Sequence, residues 1–525
     1  MPRIPLWFMR RAAIAAVSAW LALGAAGCAN RPAVEPGTLN FLIESQPANL
    51  DPRIGTDAQS EELDGLIFDG LVQRDAQTNV VPDLAESWET PNPLTYVFHL
   101  RRGVKFHDGR PLTSADVKFT LDSIISGAVR TPKRGAFQRV QSVEAPDDAT
   151  VIIRLSEPYA SFLSSVLARM GIGIVPRGSG TELARDPIGT GPFRFVSMTE
   201  DEEIVLARNP DYFATPPSVG RVRFRIVTDA IVRALELRKG TADVGGVNSL
   251  APDMVVVLAE QPGIEVTESP GTQLRYVAFN FDDPFLAHRE VRQALAYATD
   301  RATMIQYLLR GQARAASSLL PPYNWAYEPD VRQYGFDPAR AEQLLDAAGF
   351  PRGADGVRFH LELKTSTEES ARLLGEVLAD EWKRVGVVLE LRPLESATLL
   401  ADVSRGSFQL YTLIWTGYAN NDPDIFDDVF SSRRMPPLGA NRGHYHNPAL
   451  DALLDQQRME MNHEKRKEIL SEIQKMVAED EPYINLWYVD SVCVHRDTVT
   501  GIALSPGGDY DFLDEVKLEQ PAGHE

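Results

Sequence analysis

Residues 84–124, LAESWETPNPLTYVFHLRRGVKFHDGRPLTSADVKFTLDSI, constrain this chain more than any other stretch. They read as strand, turn, strand, turn, helix. Residues 96–100 form a dense apolar and aromatic run that suits a buried strand. Val104 and Phe106 alternate with Gly103 and Lys105, and His107-Asp108-Gly109 then turns the chain. Thr113 can cap a helix, with Asp116 in the reciprocal position three residues on. Val117, Leu121, Ile124 and Ile125 follow at helical spacing, so that helix buries one face.

The same reading extends along the chain. Residues 38–43 form a strand, and Leu63, Leu66, Ile67 and Leu71 mark a helix over 60–71. Residues 136–143 and 150–155 flank Pro146-Asp147-Asp148 as a hairpin. The glycine-rich run 187–195 (PIGTGPFRF) suggests a phosphate cradle, but no lysine with serine or threonine follows in register and Pro192 lacks a donor. A tight turn into a strand fits better. Residues 233–239 are helical, and a strand over 272–280 crosses the molecule. Beyond it come helices over 291–301, from Asp337-Pro338, over 374–385 and over 450–477, with strands at 359–363, 387–391, 408–415 and 482–489. Strands alternating with helices imply an α/β layer with parallel pairing. The acidic end, 509–525, is expected to fray. No repeat at solenoid spacing occurs.

A chain of 525 residues can bury a large core and form more than one domain. The net charge of −20 argues against a basic face for nucleic acid or anionic membrane. Residues 1–27 carry Arg10 and Arg11, then an uncharged, mostly apolar run over 12–26, which suits a secretory leader rather than a membrane span. Ala25, Ala26 and Gly27 precede Cys28, an arrangement similar to a bacterial lipobox; Ala25 stands where leucine is commonest. Residues 29–36 lack periodicity and read as a tether. Cys28 and Cys493 are too few for a disulfide framework or a cysteine zinc cluster.

Catalytic signatures are absent: the sequence has no GxSxG, HExxH or CxxC. His444-Tyr445-His446 could place two imidazoles on one face, but a metal wants a third ligand, and a loop before a helix is the better reading. Neighbouring carboxylates such as Glu61-Glu62 and Asp427-Asp428 point apart on a helix. The loop after Trp415 is the best ligand-site candidate. Trp415 and Tyr418 offer flat apolar faces, and Asn420, Asn421 and Asp422 offer donors and acceptors.

Several ordered segments carry a resemblance. LAESW, HLRRGVKFHDG and LTSADVKFTLDS in 84–124, Leu50-Asp51-Pro52, the FDGLV step at 68–72, GTGPF at 189–193, Asn209-Pro210-Asp211-Tyr212-Phe213, Gly240-Thr241-Ala242-Asp243, VRQALAYATDR at 291–301 and Tyr445-His446-Asn447-Pro448 all fit. The chain resembles the bacterial family 5 solute-binding proteins, which serve peptide, nickel and oligosaccharide ABC importers. The likeness spans nearly all of 38–500.

It implies an α/β, two-lobed periplasmic-binding-protein fold of type II, with an extra subdomain in the first lobe and a two-strand hinge. The expected division is 1–27 signal peptide, 28–37 tether, 38–275 first lobe with an inserted subdomain at about 56–180, 276–487 second lobe, and 488–525 returning to the first lobe before an acidic tail. The expected function is capture of a peptide or related small polar solute between the lobes for delivery to ABC permease subunits and their ATPases. No enzyme activity, cofactor, metal or nucleic acid is expected, and the protein should be a monomer held at the membrane by lipid on Cys28 alone, facing the periplasm or outer surface. In dipeptide binders the loop after the tryptophan supplies an aspartate for the ligand's ammonium; the matching residue is Ala419. Their carboxylate-binding arginine, counted back from the tryptophan matched by Trp382, falls at Thr365 beside Lys364. Neither end of that clamp is plainly present, so the ligand is a longer or capped peptide, or another polar solute. The competing classes are a secreted α/β hydrolase and a signalling lipoprotein of the same fold.

Overall fold

Two long strands, Ile264–Phe279 and Tyr483–Arg496, run antiparallel through the middle of a large sheet. The computed structural model describes residues 37–75, 79–168, 172–416 and 422–519. Among these residues the sheet has eleven strands. On one side of the central pair lie Leu410–Trp415, Phe359–Ser366 and Val387–Leu394. On the other lie Val244–Gly245, Thr38–Ile43, Arg221–Ile226, Glu203–Arg208 and Phe193–Thr199. The expected parallel pairing occurs on both sides, between Phe359–Ser366 and its two neighbours and between Thr38–Ile43 and Val244–Gly245. Each side packs its own apolar core of valine, leucine and aromatic side chains.

The crossing strand is longer than its sequence suggests. It starts at Ile264 rather than at 272, and Pro270-Gly271 conceals the continuity. The ladder shifts register between Ser269 and Gln273. A Cβ on Gly271 would lie 1.9 Å from the Val489 carbonyl oxygen, so only glycine lets the strands approach there. At this kink the Thr272 amide leaves the ladder and donates to the Pro506 carbonyl at 3.1 Å.

The stretch 84–124 folds as read. Ala85–Asn92, Thr95–Leu100, Thr150–Leu155 and Val140–Asp147 make a separate antiparallel sheet, and helix Ser114–Ile125 packs on it. Tyr96, Phe98, Val151 and Ile153 share one core with Val117, Leu121 and Ile124. Each such side chain contributes about 1.5–3 kcal/mol on burial. The Thr113 amide and hydroxyl both donate to Asp116 Oδ2, at 2.9 and 2.8 Å, which fixes the helix start.

Other boundaries differ for identifiable reasons. The helix read over 60–71 is Ala58–Ile67, started by Asp57, whose side chain accepts from the Ser60 amide. The hairpin strand begins at Val140, because residues 132–137 coil into a 3₁₀ turn. The helix read over 291–301 is two, Arg289–Tyr297 and Arg301–Leu308, the second capped by Asp300. Likewise 450–477 divides into Pro448–Met459 and His463–Asp480, the second capped by Asn462. The turn at 189–191 is structural: Cβ atoms on Gly189 and Gly191 would lie 2.0 and 2.6 Å from the backbone of Ile67. The tail does not fray up to residue 518. Tyr510, Phe512, Leu513 and Val516 are buried, and Lys517–Leu518 pairs with Val499–Thr500.

Candidate functional site

A buried polar network joins the segment after the four-stranded sheet to the helices that follow Trp415. Arg466 lies on the inner face of helix His463–Asp480 and is 6% exposed. Its Nη2 donates to Ser161 Oγ at 2.5 Å, and the Ser161 hydroxyl donates to Asp422 Oδ1 at 2.9 Å. The Arg466 guanidinium also donates to Gln457 Oε1 and lies 4.0 Å from Asp422. Tyr159 OH donates to Asp424 Oδ2 at 2.6 Å, and the Ala160 amide donates to the Arg458 carbonyl at 2.8 Å. Burial alone would push the Asp422 carboxyl up; Arg466, then Arg74 and Ser164, overcome it and hold it below the usual carboxylate range. Asp424, buried beside Asp422 and Asp427, is raised instead.

Above this network stands an aromatic wall. Trp415 ends its strand opposite Leu274 of the crossing strand. Tyr276 stacks on Trp415 with centroids 6.0 Å apart and on Tyr483 at 4.5 Å. The Arg442 guanidinium sits 5.4 Å from the Trp415 ring centroid, a cation–π arrangement. Aromatic faces with one half-buried guanidinium suit the backbone and carboxylate of a small polar ligand.

A cavity of about 420 Å³ lies between residues 64–75, 83, 167–168, 172–173 and 503–515. Pro506, which takes the Thr272 amide at the kink, lines one part of it. Arg74 lines another and acts electrostatically on Asp422, which ties the cavity to the network. Asp69 accepts from Thr190 Oγ1 at 2.5 Å and Tyr212 OH at 3.1 Å, yet burial still pushes it up to about 6. Burial also raises Asp64 and Asp83. Burial, then Asp69, raises Asp514 to about 7.

The residues singled out from sequence have separate fates. Trp415 and Asp422 flank one loop, Trp415 half-buried in the aromatic wall and Asp422 4% exposed inside the network. Tyr418, Ala419, Asn420, Asn421 and Cys28 lie outside the described residues. Lys364 is 4% exposed, and its Nζ donates to Asp402 Oδ2 at 2.8 Å and to the Ser407 carbonyl. Thr365 is fully buried with no partner for its hydroxyl. Sequence reasoning missed Tyr159, Ser161, Tyr276, Arg442 and Arg466. Arg466 sits in the charged run HEKRKE, which reads as a solvated face, and nothing local marks Ser161.

The model of the bacterial extracellular solute-binding proteins, family 5, matches residues 79–436. The chain belongs to that family. The dipeptide-binding protein of Escherichia coli K12 is 28% identical over 514 residues, covering 93% of this chain and 95% of that protein. NikZ of Campylobacter jejuni, solved in complex with Ni(L-His), matches with a TM-score of 0.78 at 26% identity, over 92% of this chain and 100% of that one. DppA of Helicobacter pylori, solved in complex with the peptide STSA, matches at 0.76 and 26%, over 92% and 98%. This family 5 protein therefore has the two-lobed type II fold. Members of the family are transport binding proteins. Among the described residues no helix is long and apolar enough to cross a membrane.

Proposed function

We propose that this family 5 protein captures a peptide or similar polar solute between residues 38–275 and 276–487, and hands it to the permease subunits of an ABC importer driven by partner ATPases. In this reading Cys28 carries the lipid that holds the protein at the cell envelope, facing the periplasm or outer surface. Residues 488–518 complete the first lobe.

The observation that carries the reading is the set of bonds from Tyr159, Ala160 and Ser161 to Asp424, Arg458, Asp422 and Arg466. These residues come from opposite sides of the proposed lobe boundary. Such contacts suit a closed state that a bridging ligand stabilises by its differential affinity. Trp415, Tyr276 and Arg442 would form the ligand wall on the second lobe. The dipeptide likeness argues for a peptide, while Ala419 in place of the family's aspartate argues that the amine is met elsewhere.

Native mass spectrometry of the chain from residue 29, followed by ligand release, tests this. A co-purified peptide supports the reading, and a non-peptide solute redirects the substrate class. Turnover of the bound molecule would replace the reading with that of an enzyme.

A further inference from the structure

The cavity beside residues 503–515 is strongly acidic. Among the described residues, eight carboxylates line it against one guanidinium, that of Arg74. They come from two distant parts of the chain, with Asp64, Asp69 and Asp83 on one side and Asp509, Asp511 and Asp514 on the other. Like charges around one low-dielectric space repel, and each raises the cost of ionising the next.

The protein neutralises this wall only in part, with Lys133 acting on Asp64 and Arg101 on Asp83. Asp64 lines the cavity at 1% exposure, and neither of its carboxylate oxygens has a hydrogen-bond partner. Asp514 Oδ1 is likewise buried without one. Asp511 opens into the cavity, where the charges acting on it are those of Asp509, Asp514 and Asp69. Buried carboxylates without partners are costly, and such positions are kept where a ligand completes them.

The arrangement also restricts what could complete them. No group of three or more ligating side chains among the described residues is placed to hold one metal ion. The negative charge is spread along the cavity, so a compact cation at one point leaves most of it unmet. At about 420 Å³ the space has the size of a small-molecule pocket. A neutral dipeptide would bring one ammonium, but its carboxylate would face this same wall.

We propose that the acidic cavity takes a ligand with two or more ammonium groups spaced along a flexible chain, as in a linear polyamine or a lysine-rich peptide. The cavity is lined by residues 64–75, 83, 167–168, 172–173, 192, 212 and 503–515, all on the first-lobe side of the proposed boundary, so this site is additional to the proposed solute cleft. Asp511 and Asp514 would contact the ammonium groups, with Asp64 behind them in the same wall.

Calorimetric titration of the ligand-stripped mature chain with spermidine, tri-lysine and tri-alanine, at neutral pH and low salt, tests it. Spermidine or tri-lysine should bind at least about tenfold more tightly than tri-alanine, with an affinity that falls as salt rises. Whichever of the two binds identifies the source, amine or peptide. Asp511→Asn combined with Asp514→Asn should weaken that binding about tenfold or more, while Glu200→Gln, an exposed acid elsewhere, should not. Thermal unfolding of the double variant shows separately that it folds. Tri-alanine binding as tightly as tri-lysine and spermidine would overturn the cation proposal and leave solute capture standing. Failure of both cations to bind overturns it as well, and the ligand carried through purification then judges solute capture independently.

Discussion

Ser161 donates its hydroxyl to Asp422 across 261 positions of sequence, at 2.9 Å, and both side chains are buried. Arg466 supplies the positive charge that keeps the carboxylate ionised. The three make a tie between the segment after the four-stranded sheet and the helices after Trp415. Its strength comes from burial: each group, left alone, would stand unpaired in a low-dielectric setting.

Arg466→Met should therefore be far more damaging than loss of a surface arginine. It leaves Asp422 buried without its counter-charge, and the expected loss is about 3–5 kcal/mol in urea unfolding. A loss below about 1 kcal/mol, the range of exposed pairs, would show that water reaches the network.

Tyr159→Phe removes only the bond to Asp424. Stability should fall by about 1.5–3 kcal/mol, the range for hydrogen bonds to charged groups. The ligand-free variant should also have a larger radius of gyration by small-angle scattering. An unchanged radius would make the bond purely structural and would count against its role in closure.

Gly271→Ala places a methyl group against the Val489 carbonyl. The crossing strands must shift to admit it, and the expected cost is about 2 kcal/mol or more. Ligand affinity should change with it, because in the proposed reading the kink sets the angle between the lobes. Parallel measurements of unfolding and binding distinguish a hinge effect from simple destabilisation.

Arg442→Gln and Trp415→Ala should weaken ligand binding by about tenfold or more, whereas Lys364→Met should lower stability and leave affinity nearly unchanged. The lysine's ammonium is already held by Asp402 and Ser407. Equal losses of affinity at Lys364 and Arg442 would restore the ligand role read for Lys364 from sequence.

Asp514→Asn gives a pH signature. The folded carboxyl lies at about 7, above the value of about 4 for an unfolded aspartate. The native state therefore holds its proton longer, and this group costs stability progressively as pH rises from about 4 to about 7. The variant lacks that cost. Its melting temperature should match the parent's near pH 4 and exceed it above pH 7, on the order of 2–4 °C. A constant difference across this range would contradict the burial argument.

Local chemistry explains what was legible in the sequence. The cap at Thr113, the turn at 189–191 and the alternating strands of 84–124 are decided within a few residues, and they fold as read. The breaks at Asp300 and Asn462 were also written locally, as capping residues, but continuous apolar spacing on either side masked them. The acidic tail was misread because its charges outnumber Tyr510, Phe512, Leu513 and Val516, which decide its burial. The site was legible only at Trp415 and Asp422. Their partners Tyr276, Arg442, Ser161 and Arg466 arrive from distant segments, and no local pattern announces such a meeting.

The buried tail also sets an order of events. The ring of Tyr510 packs 4.7 Å from that of Phe41, so the first strand's core is closed by residues made long after it. Until those residues emerge, the N-terminal sheet lacks part of its apolar wall. Contacts at this separation form late, because the loop they close is very long. In the proposed export reading that delay is useful. The chain stays without its finished core until those residues emerge, and an unfinished core is the condition in which a polypeptide can still be threaded through a narrow channel.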